Sequence, residues 1–67
     1  MRINNKLAEL REKQGISQEQ LAWKSTVSRH AISEVELGKR IPTLKTALLL
    51  ARTLNCSVNG IFTLEDR

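Results

Sequence analysis

Residues 16–44 read ISQEQLAWKSTVSRHAISEVELGKRIPTL, and this stretch organises the rest of the chain. A helix is expected to begin after Ser17, because its hydroxyl can accept from the backbone N–H of Gln20 while the glutamine amide reaches back to the Ser17 backbone, forming a capping box. Ser28 can cap a second helix in the same way. Two turns of the leading helix leave only about three or four residues for the connection. The spacing therefore predicts a helix-turn-helix at about residues 17–37.

The second helix of this pair is expected to end at Gly38, which tolerates the positive φ that commonly follows a helix. Pro42 cannot continue a helix, and Thr43 can cap the next one. This next helix is predicted to be the longest and most apolar of the chain. Its predicted inward face comprises Leu44, Ala47, Leu48, Ala51 and Leu54. Leu49 projects away from that face, either as a single exposed apolar residue or as part of a contact.

Ahead of the helix-turn-helix, the sequence predicts a first helix that runs to about Lys13. Asn4 or Asn5 can cap its start, and Gly15 can take the left-handed conformation after its end. Helical spacing then defines an inward stripe. The residues of this stripe are Ile3, Leu7 and Leu10.

At the other end of the chain, Asn55 can end the fourth helix, and Ser57 can cap a short fifth helix that reaches Ile61. Residues 62–64 can pair as a short strand with residues 1–3. The predicted fold is therefore all-α, with five helices and an optional two-stranded pairing of the termini.

Composition agrees with a small helical protein. The chain has 67 residues, only 3% aromatics and no Tyr, so its core must consist mainly of Leu, Ile, Val and Ala. This length predicts one domain, residues 1–67, close to the size at which a single core is only marginally stable. A net charge of +4 favours anionic partners, although many small domains are equally basic.

The same sequence argues against catalysis, cofactors and secretion. A single cysteine cannot form a disulfide framework, and Cys56 with His30 provides too few ligands for a metal. There is no Gly-rich phosphate loop, and the only histidine lies on an outward face with no obvious Asp to orient it. The longest apolar run, at residues 47–51, is too short to span a bilayer, and the N-terminus lacks an apolar signal region. We therefore expect a cytoplasmic protein that is not an enzyme and binds no cofactor or metal.

The residues of the organising stretch also carry a family resemblance. The runs SQEQLA and VSRHAISEVELGKRIPTL resemble the Cro and CI repressor type of helix-turn-helix, known as the XRE family. The resemblance covers nearly the whole chain and implies a lambda-repressor-like DNA-binding domain in a transcriptional regulator. The positions that match the family's spacing are Ser17-Gln18, Leu21-Ala22, Ile32, Glu36-x-Gly38 and Pro42.

The resemblance also implies roles for individual side chains. An ion pair between Arg11 and Glu36 is expected to tie the first helix to the end of the recognition helix. The expected base contacts are Arg29, His30, Ser33 and Glu34. The expected phosphate contacts are Gln18, Ser28, Lys39, Arg40 and Thr43. A solvated polar helix face is the alternative for the first set, and Glu34 could either accept from cytosine N4 or avoid the DNA.

Two residues of the turn depart from the family pattern. Ser25 occupies a position where an apolar residue is usual, and Thr26 replaces a common glycine at a position that often needs positive φ. The turn is therefore expected to be strained or built differently. Nearby, we expect the Trp23 ring to be partly exposed and packed on the neighbouring surface rather than stacked on a base.

One recognition helix reads too few base pairs to find a single site in a genome, so the sequence favours a homodimer on an inverted-repeat operator of double-stranded DNA. The predicted function is repression by operator occlusion. The predicted dimer interface comprises Leu49, Asn55, Cys56, Val58 and Leu64. The alternative is a small helical protein-interaction module, such as an antitoxin or a partner of another regulator, in which DNA binding is secondary.

Overall fold

Residues 2–66 form five helices and a two-stranded antiparallel sheet, and this confirms the predicted fold class. The computed structural model describes residues 2–66, so Met1, which was placed in the terminal pairing, and Arg67 lie outside the described residues. In chain order the elements are β1 (Arg2–Asn5), α1 (Leu7–Lys13), α2 (Gln18–Ser25), α3 (Arg29–Glu36), α4 (Leu44–Thr53), α5 (Val58–Ile61) and β2 (Phe62–Glu65).

Local side-chain chemistry determines where four of the helices begin. The predicted capping box is present at α2, where Ser17 Oγ accepts from the Gln20 N–H at 3.0 Å and Gln20 Oε1 accepts from the Ser17 N–H at 2.8 Å. Each of the next three helices has one hydroxyl that accepts from the N–H three residues on, which satisfies a donor that the helix itself cannot pair. These residues are Ser28, Thr43 and Ser57.

The predicted left-handed residues end the helices. Gly38 has φ 76°, and the Lys39 N–H donates to the Glu34 carbonyl at 2.9 Å, which closes the last turn of α3. Asn55 has φ 56° after α4, where the Cys56 N–H donates to the Ala51 carbonyl at 3.0 Å. Glycine and asparagine therefore end these two helices in the same way, by adopting the left-handed conformation.

The start of α1 differs from the prediction. Residues 2–5 form β1, and the position before α1 is Lys6, whose side chain forms no capping hydrogen bond. Asn5 still contributes, because its Oδ1 accepts from the Leu7 N–H at 3.1 Å. The placement of Ile3 on an inward helix face was wrong: Ile3 lies in the strand and is exposed, since helical spacing does not apply to extended backbone.

The sheet joins the two ends of the described chain. Ile3 lies opposite Leu64 in an antiparallel register, so their side chains share one face of the ribbon. Arg2 Nε and Glu65 Oε1 are 2.9 Å apart at the end of the ribbon, forming an exposed ion pair. The ribbon therefore presents an apolar pair of side chains to solvent.

One apolar core lies between the helices, and α4 contributes to it differently from the prediction. Leu50 is fully buried, whereas the placement of Leu44 and Leu48 on the inward face was wrong, because both are exposed. The apolar side chains of α4 are distributed over more than half of its circumference, so their spacing alone could not show which side faces the core. The buried hydrophobic residues are Leu7, Leu21, Val27, Ala31, Ile32, Val35, Ala47, Leu50, Ala51, Leu54 and Ile61.

The turn between α2 and α3 accommodates both departures from the family pattern. Ser25 is buried, and its Oγ accepts from the Val27 N–H at 3.2 Å, so a polar residue fills the usual apolar position without an unpaired hydroxyl. Thr26 adopts φ 64°, a left-handed conformation that is unfavourable for a β-branched residue. The turn therefore keeps the left-handed geometry while lacking the glycine.

Thr26→Gly is therefore expected to raise the free energy of unfolding by about 1 kcal/mol. Glycine removes a steric penalty of roughly 1–2 kcal/mol, and its greater freedom in the unfolded chain cancels part of the gain. The matched control is Asn55→Gly, which should change stability by only a few tenths of a kcal/mol because asparagine tolerates this conformation. Urea midpoints compared at equal m-values measure both changes. A destabilised Thr26→Gly protein would show that the threonine is not strained.

Candidate nucleic-acid interface

The orientation of α3 decides which side chains it offers to a partner. Ala31, Ile32 and Val35 are buried, and they anchor one side of the helix to the core. Arg29 and His30 occupy the exposed first turn. The polar side of α3 is therefore held outward by three apolar contacts on its other side.

Glu34 lies in the middle of this polar side, paired with Arg40 and close to His30. Its Oε1 is 2.9 Å from Arg40 Nη2, and its Oε2 is 3.6 Å from His30 Nε2, one helical turn away. Glu34 is half-buried, so the carboxylate has a restricted orientation. Its negative charge is partly balanced by the Arg40 guanidinium.

Three of the predicted phosphate contacts lie at helix N-termini, where backbone N–H groups favour anions. Gln18 is the first residue of α2, and Ser28 and Thr43 precede α3 and α4. The Ser28 hydroxyl accepts from the Ala31 N–H at 3.1 Å, which leaves its proton available for donation. The Thr43 hydroxyl also accepts from the Thr46 N–H at 3.1 Å, but it donates its own proton to Thr46 Oγ1 at 3.1 Å.

A buried polar cluster joins these helices. Arg11 Nε donates to Glu36 Oε2 at 2.8 Å, Arg11 Nη2 donates to Glu36 Oε1 at 3.3 Å, and the two side chains are only 11% and 7% exposed. Gln18 Nε2 donates to the same Oε1 at 2.9 Å. The hydrogen bond with Glu36 raises the pKa of Arg11 above its usual value, and this effect exceeds the opposing effect of burial. The cluster therefore fixes α1, the start of α2 and the end of α3 relative to one another.

This arrangement matches a known family. A family model described as helix-turn-helix matches residues 7–61, which is most of the chain. The chain belongs to the Cro/CI-type, or XRE, helix-turn-helix family. It is therefore a DNA-binding transcriptional regulator rather than an enzyme.

Relatives of this XRE-family protein span almost its full length. An uncharacterised HTH-type transcriptional regulator of Archaeoglobus fulgidus is 36% identical over 96% of this chain and 91% of its own length. A similar regulator of Methanocaldococcus jannaschii is 39% identical over 96% of this chain and 97% of its own length. Among solved structures, the restriction-modification controller protein C.AhdI of Aeromonas hydrophila has a TM-score of 0.78 and 38% identity, covering 82% of this chain and 83% of that one.

Several polar contacts that position the regulator's interface could not be predicted from the sequence. Asn5 Nδ2 donates to the Val35 carbonyl at 2.9 Å, which pairs a carbonyl at the end of α3. Arg40 Nη2 meets Glu34 from the loop after the helix. Each pair joins residues on different elements, so neither helical spacing nor a capping pattern could identify it. Gln18 was expected at the interface, but its bond to Glu36 was not foreseen.

The residues predicted to form the dimer interface lie in separate places. Val58 and Leu64 line one shallow depression together with Ile3 and Phe62. Leu49 lines a different groove, on α4. The remaining two lie at the connection between α4 and α5. These are Asn55, which is exposed, and Cys56, which is half-buried against the core.

Trp23 also differs from the prediction. Its side chain is 84% exposed, so the expectation that the ring packs on the neighbouring surface was wrong. Leu21 and Ser25, the buried residues of α2, lie two positions away on either side of Trp23 and therefore on the opposite side of the helix. Trp23 thus points away from the core.

Metal clusters and membrane-spanning helices are both absent from the part of the chain that the structure describes. Residues 2–66 contain no group of three or more His, Cys, Asp or Glu side chains that could hold a metal ion. Their helices also lack the length and apolar character needed to cross a membrane.

Proposed function

We propose that this XRE regulator binds an inverted-repeat operator in double-stranded DNA as a homodimer and represses transcription by occupying that site. The observation that carries the proposal is the exposed first turn of α3, with Arg29 and His30 held outward by a buried apolar side. In this class of protein the recognition helix enters the major groove with its N-terminal residues towards the base edges.

Four side chains are proposed to read bases. Arg29 can donate two hydrogen bonds to guanine, and His30 and Ser33 can donate or accept. Glu34 can accept from cytosine N4 when Arg40 turns from the carboxylate towards a phosphate. In the free protein Arg40 neutralises Glu34, so DNA binding would exchange one anionic partner of Arg40 for another.

The remaining predicted DNA contacts are proposed to bind phosphates of the DNA backbone. Lys39 and Arg40 lie in the loop after α3, beyond Leu37 and Gly38, and are exposed. The remaining members of this set are the three residues at helix N-termini, Gln18, Ser28 and Thr43. Because phosphates do not differ between base pairs, these contacts supply affinity and register, while α3 supplies specificity.

Two copies are needed because one helix reads only a few base pairs. A two-fold pair places the recognition helices about 34 Å apart, which corresponds to half-site centres about 10 base pairs apart. We assign the contact to the depression lined by Val58 and Leu64, since none of its lining residues is charged and two copies can meet there without repulsion. The other predicted residues, Leu49, Asn55 and Cys56, would lie at or beyond its edge.

The proposed location is the cytoplasm. A transcriptional regulator acts on DNA, and in bacteria and archaea, the organisms that carry its relatives, DNA lies in the cytoplasm.

Two substitutions distinguish base recognition from contacts to the DNA phosphates. Arg29→Ala is expected to cost on the order of 1–3 kcal/mol in binding free energy and to relax base preference at one operator position. Lys39→Ala should weaken all sequences alike and reduce the salt dependence of binding by about one unit. Sequences enriched by each protein from a random DNA pool, with affinities measured at several salt concentrations, test both expectations. If both variants lose affinity uniformly, Arg29 contacts a phosphate instead of a base.

The alternative is a protein-interaction module in which DNA binding is secondary. The exposed leucines of α4 are the specific observation in its favour. DNA affinity that falls steeply with salt would support the regulator, because phosphate contacts release counterions. DNA affinity that is weak and independent of sequence would support the module.

A further inference from the structure

The outer side of α4 carries an apolar groove that lies outside the proposed DNA contacts and outside the depression assigned to the dimer contact. Only Leu49 belongs both to this groove and to the predicted dimer interface. Leu44 and Leu48 lie one helical turn apart and remain 73% and 52% exposed. Leu49 is half-buried and also lines the groove. Single exposed leucines are ordinary, but two in line on one helix, backed by a third, form a continuous apolar strip.

Two cations complete the lining of this groove, Lys45 and Arg52. Both are exposed, and neither forms an ion pair with a carboxylate among residues 2–66. No acidic side chain lines the groove. Its character is therefore apolar and positive, in contrast to the uncharged depression at Val58 and Leu64.

This charge pattern distinguishes the possible occupants. A second copy of the chain would bring Lys45 and Arg52 against their own equivalents with no carboxylate between them, which opposes association. A DNA backbone would satisfy the two cations but would leave Leu44 and Leu48 against phosphates and water. An amphipathic helix with an apolar stripe and flanking carboxylates satisfies both features, because its stripe covers the leucines and its acidic residues meet the cations.

We propose that the groove formed by Leu44, Lys45, Leu48, Leu49 and Arg52 docks an acidic amphipathic helix of another protein. The ten residues of α4 span about 15 Å, enough to contact two to three turns of a partner helix. Such a partner would anchor apolar side chains at helical spacing of three and four residues. Because the residues proposed to touch DNA and the second copy lie elsewhere, except for Leu49, this partner could bind the regulator on its operator.

Synthetic helical peptides test this proposal on the full-length protein. One peptide carries leucines along a single stripe with glutamates on both flanks, and the matched control has lysines in place of the glutamates. Binding is followed by the backbone amide signals in NMR titrations. The glutamate peptide is expected to bind at least about tenfold more tightly than the lysine peptide and to shift the signals of the groove residues. The double variant Lys45→Glu/Arg52→Glu should invert this preference.

Substitutions of the leucines separate docking from folding. Leu48→Gln should abolish peptide binding with little change in stability, because the side chain is already half-exposed. Leu37→Gln, at an exposed leucine that follows α3 and lies outside the groove, should leave peptide binding unchanged. Equal binding of the two peptides, or no binding by either, would overturn the proposal. It would also be overturned if the α4 signals shifted with protein concentration alone, which indicates a second copy, or with a DNA duplex alone, which indicates a backbone contact.

Discussion

Arg11→Ala is expected to lower the free energy of unfolding by about 3 kcal/mol, because it leaves the Glu36 carboxylate buried without its main counter-charge. The substitution also removes the hydrogen bond that Arg11 Nη1 donates to the Ile16 carbonyl at 2.8 Å. A domain of this size has a total stability of only about 3–10 kcal/mol. At the lower end of this range about half of the variant would be unfolded, although Arg11 is not among the proposed DNA contacts.

The same chain provides a matched control at its surface. Arg2 Nε and Glu65 Oε1 are 2.9 Å apart, nearly the same separation as in the buried pair, but the Arg2 side chain is 76% exposed. Arg2→Ala should therefore cost less than about 1 kcal/mol. A double-mutant cycle of Arg11→Ala and Glu36→Ala, measured by denaturant midpoints, isolates the buried pair. Strict additivity would mean that the two residues do not interact.

Leu64→Glu is expected to produce a monomer and to weaken operator binding by about 10³-fold, since a single recognition helix retains little more than non-specific affinity. Two copies of the new carboxylate would meet across an apolar contact with no cation to pair with. Sedimentation equilibrium gives the oligomeric state, and footprinting gives the stoichiometry and spacing on DNA. Circular dichroism must show that the variant remains folded, and Val58→Glu provides a second test of the same surface.

Leu48→Glu places the same charge on the other apolar surface and should change neither dimerisation nor operator affinity. If Leu48→Glu rather than Leu64→Glu produces a monomer, the dimer interface lies on α4. A single protein molecule per operator, or a footprint without inverted symmetry, would contradict the proposed dimer and favour the interaction module.

The features that could be predicted from the sequence depend on neighbouring residues. Ser17 and Gln20 form their capping box within one turn, and Gly38 and Asn55 end their helices through their own backbone preferences. Such interactions involve residues close in the chain, so their residue types and spacing contain most of the required information. For this reason the helix-turn-helix could be located before its packing was known.

The features that could not be predicted depend on the tertiary arrangement. Leu48 and Leu50 are equally apolar, and only the position of α4 against its neighbours decides that Leu50 is buried. Ile3 was misplaced because its strand partner, Leu64, lies at the far end of the chain.

The candidate site divides in the same way. The family resemblance selected the exposed residues of α3, whereas the bond between Gln18 and Glu36 and the bond between Arg40 and Glu34 depend on side-chain positions in three dimensions.

The terminal ribbon has a consequence for the order of events during folding. Arg2 and Glu65 are 63 positions apart, so closing the ribbon requires a large loss of chain entropy unless the helices between them have already formed. Local helices form much faster than such distant contacts. The ribbon should therefore close late and open early, with its amides among the first to exchange with solvent. Because Ile3 and Leu64 also line the proposed dimer surface, that surface forms only after β1 and β2 have paired, so the proposed dimer would assemble only after the ribbon has closed.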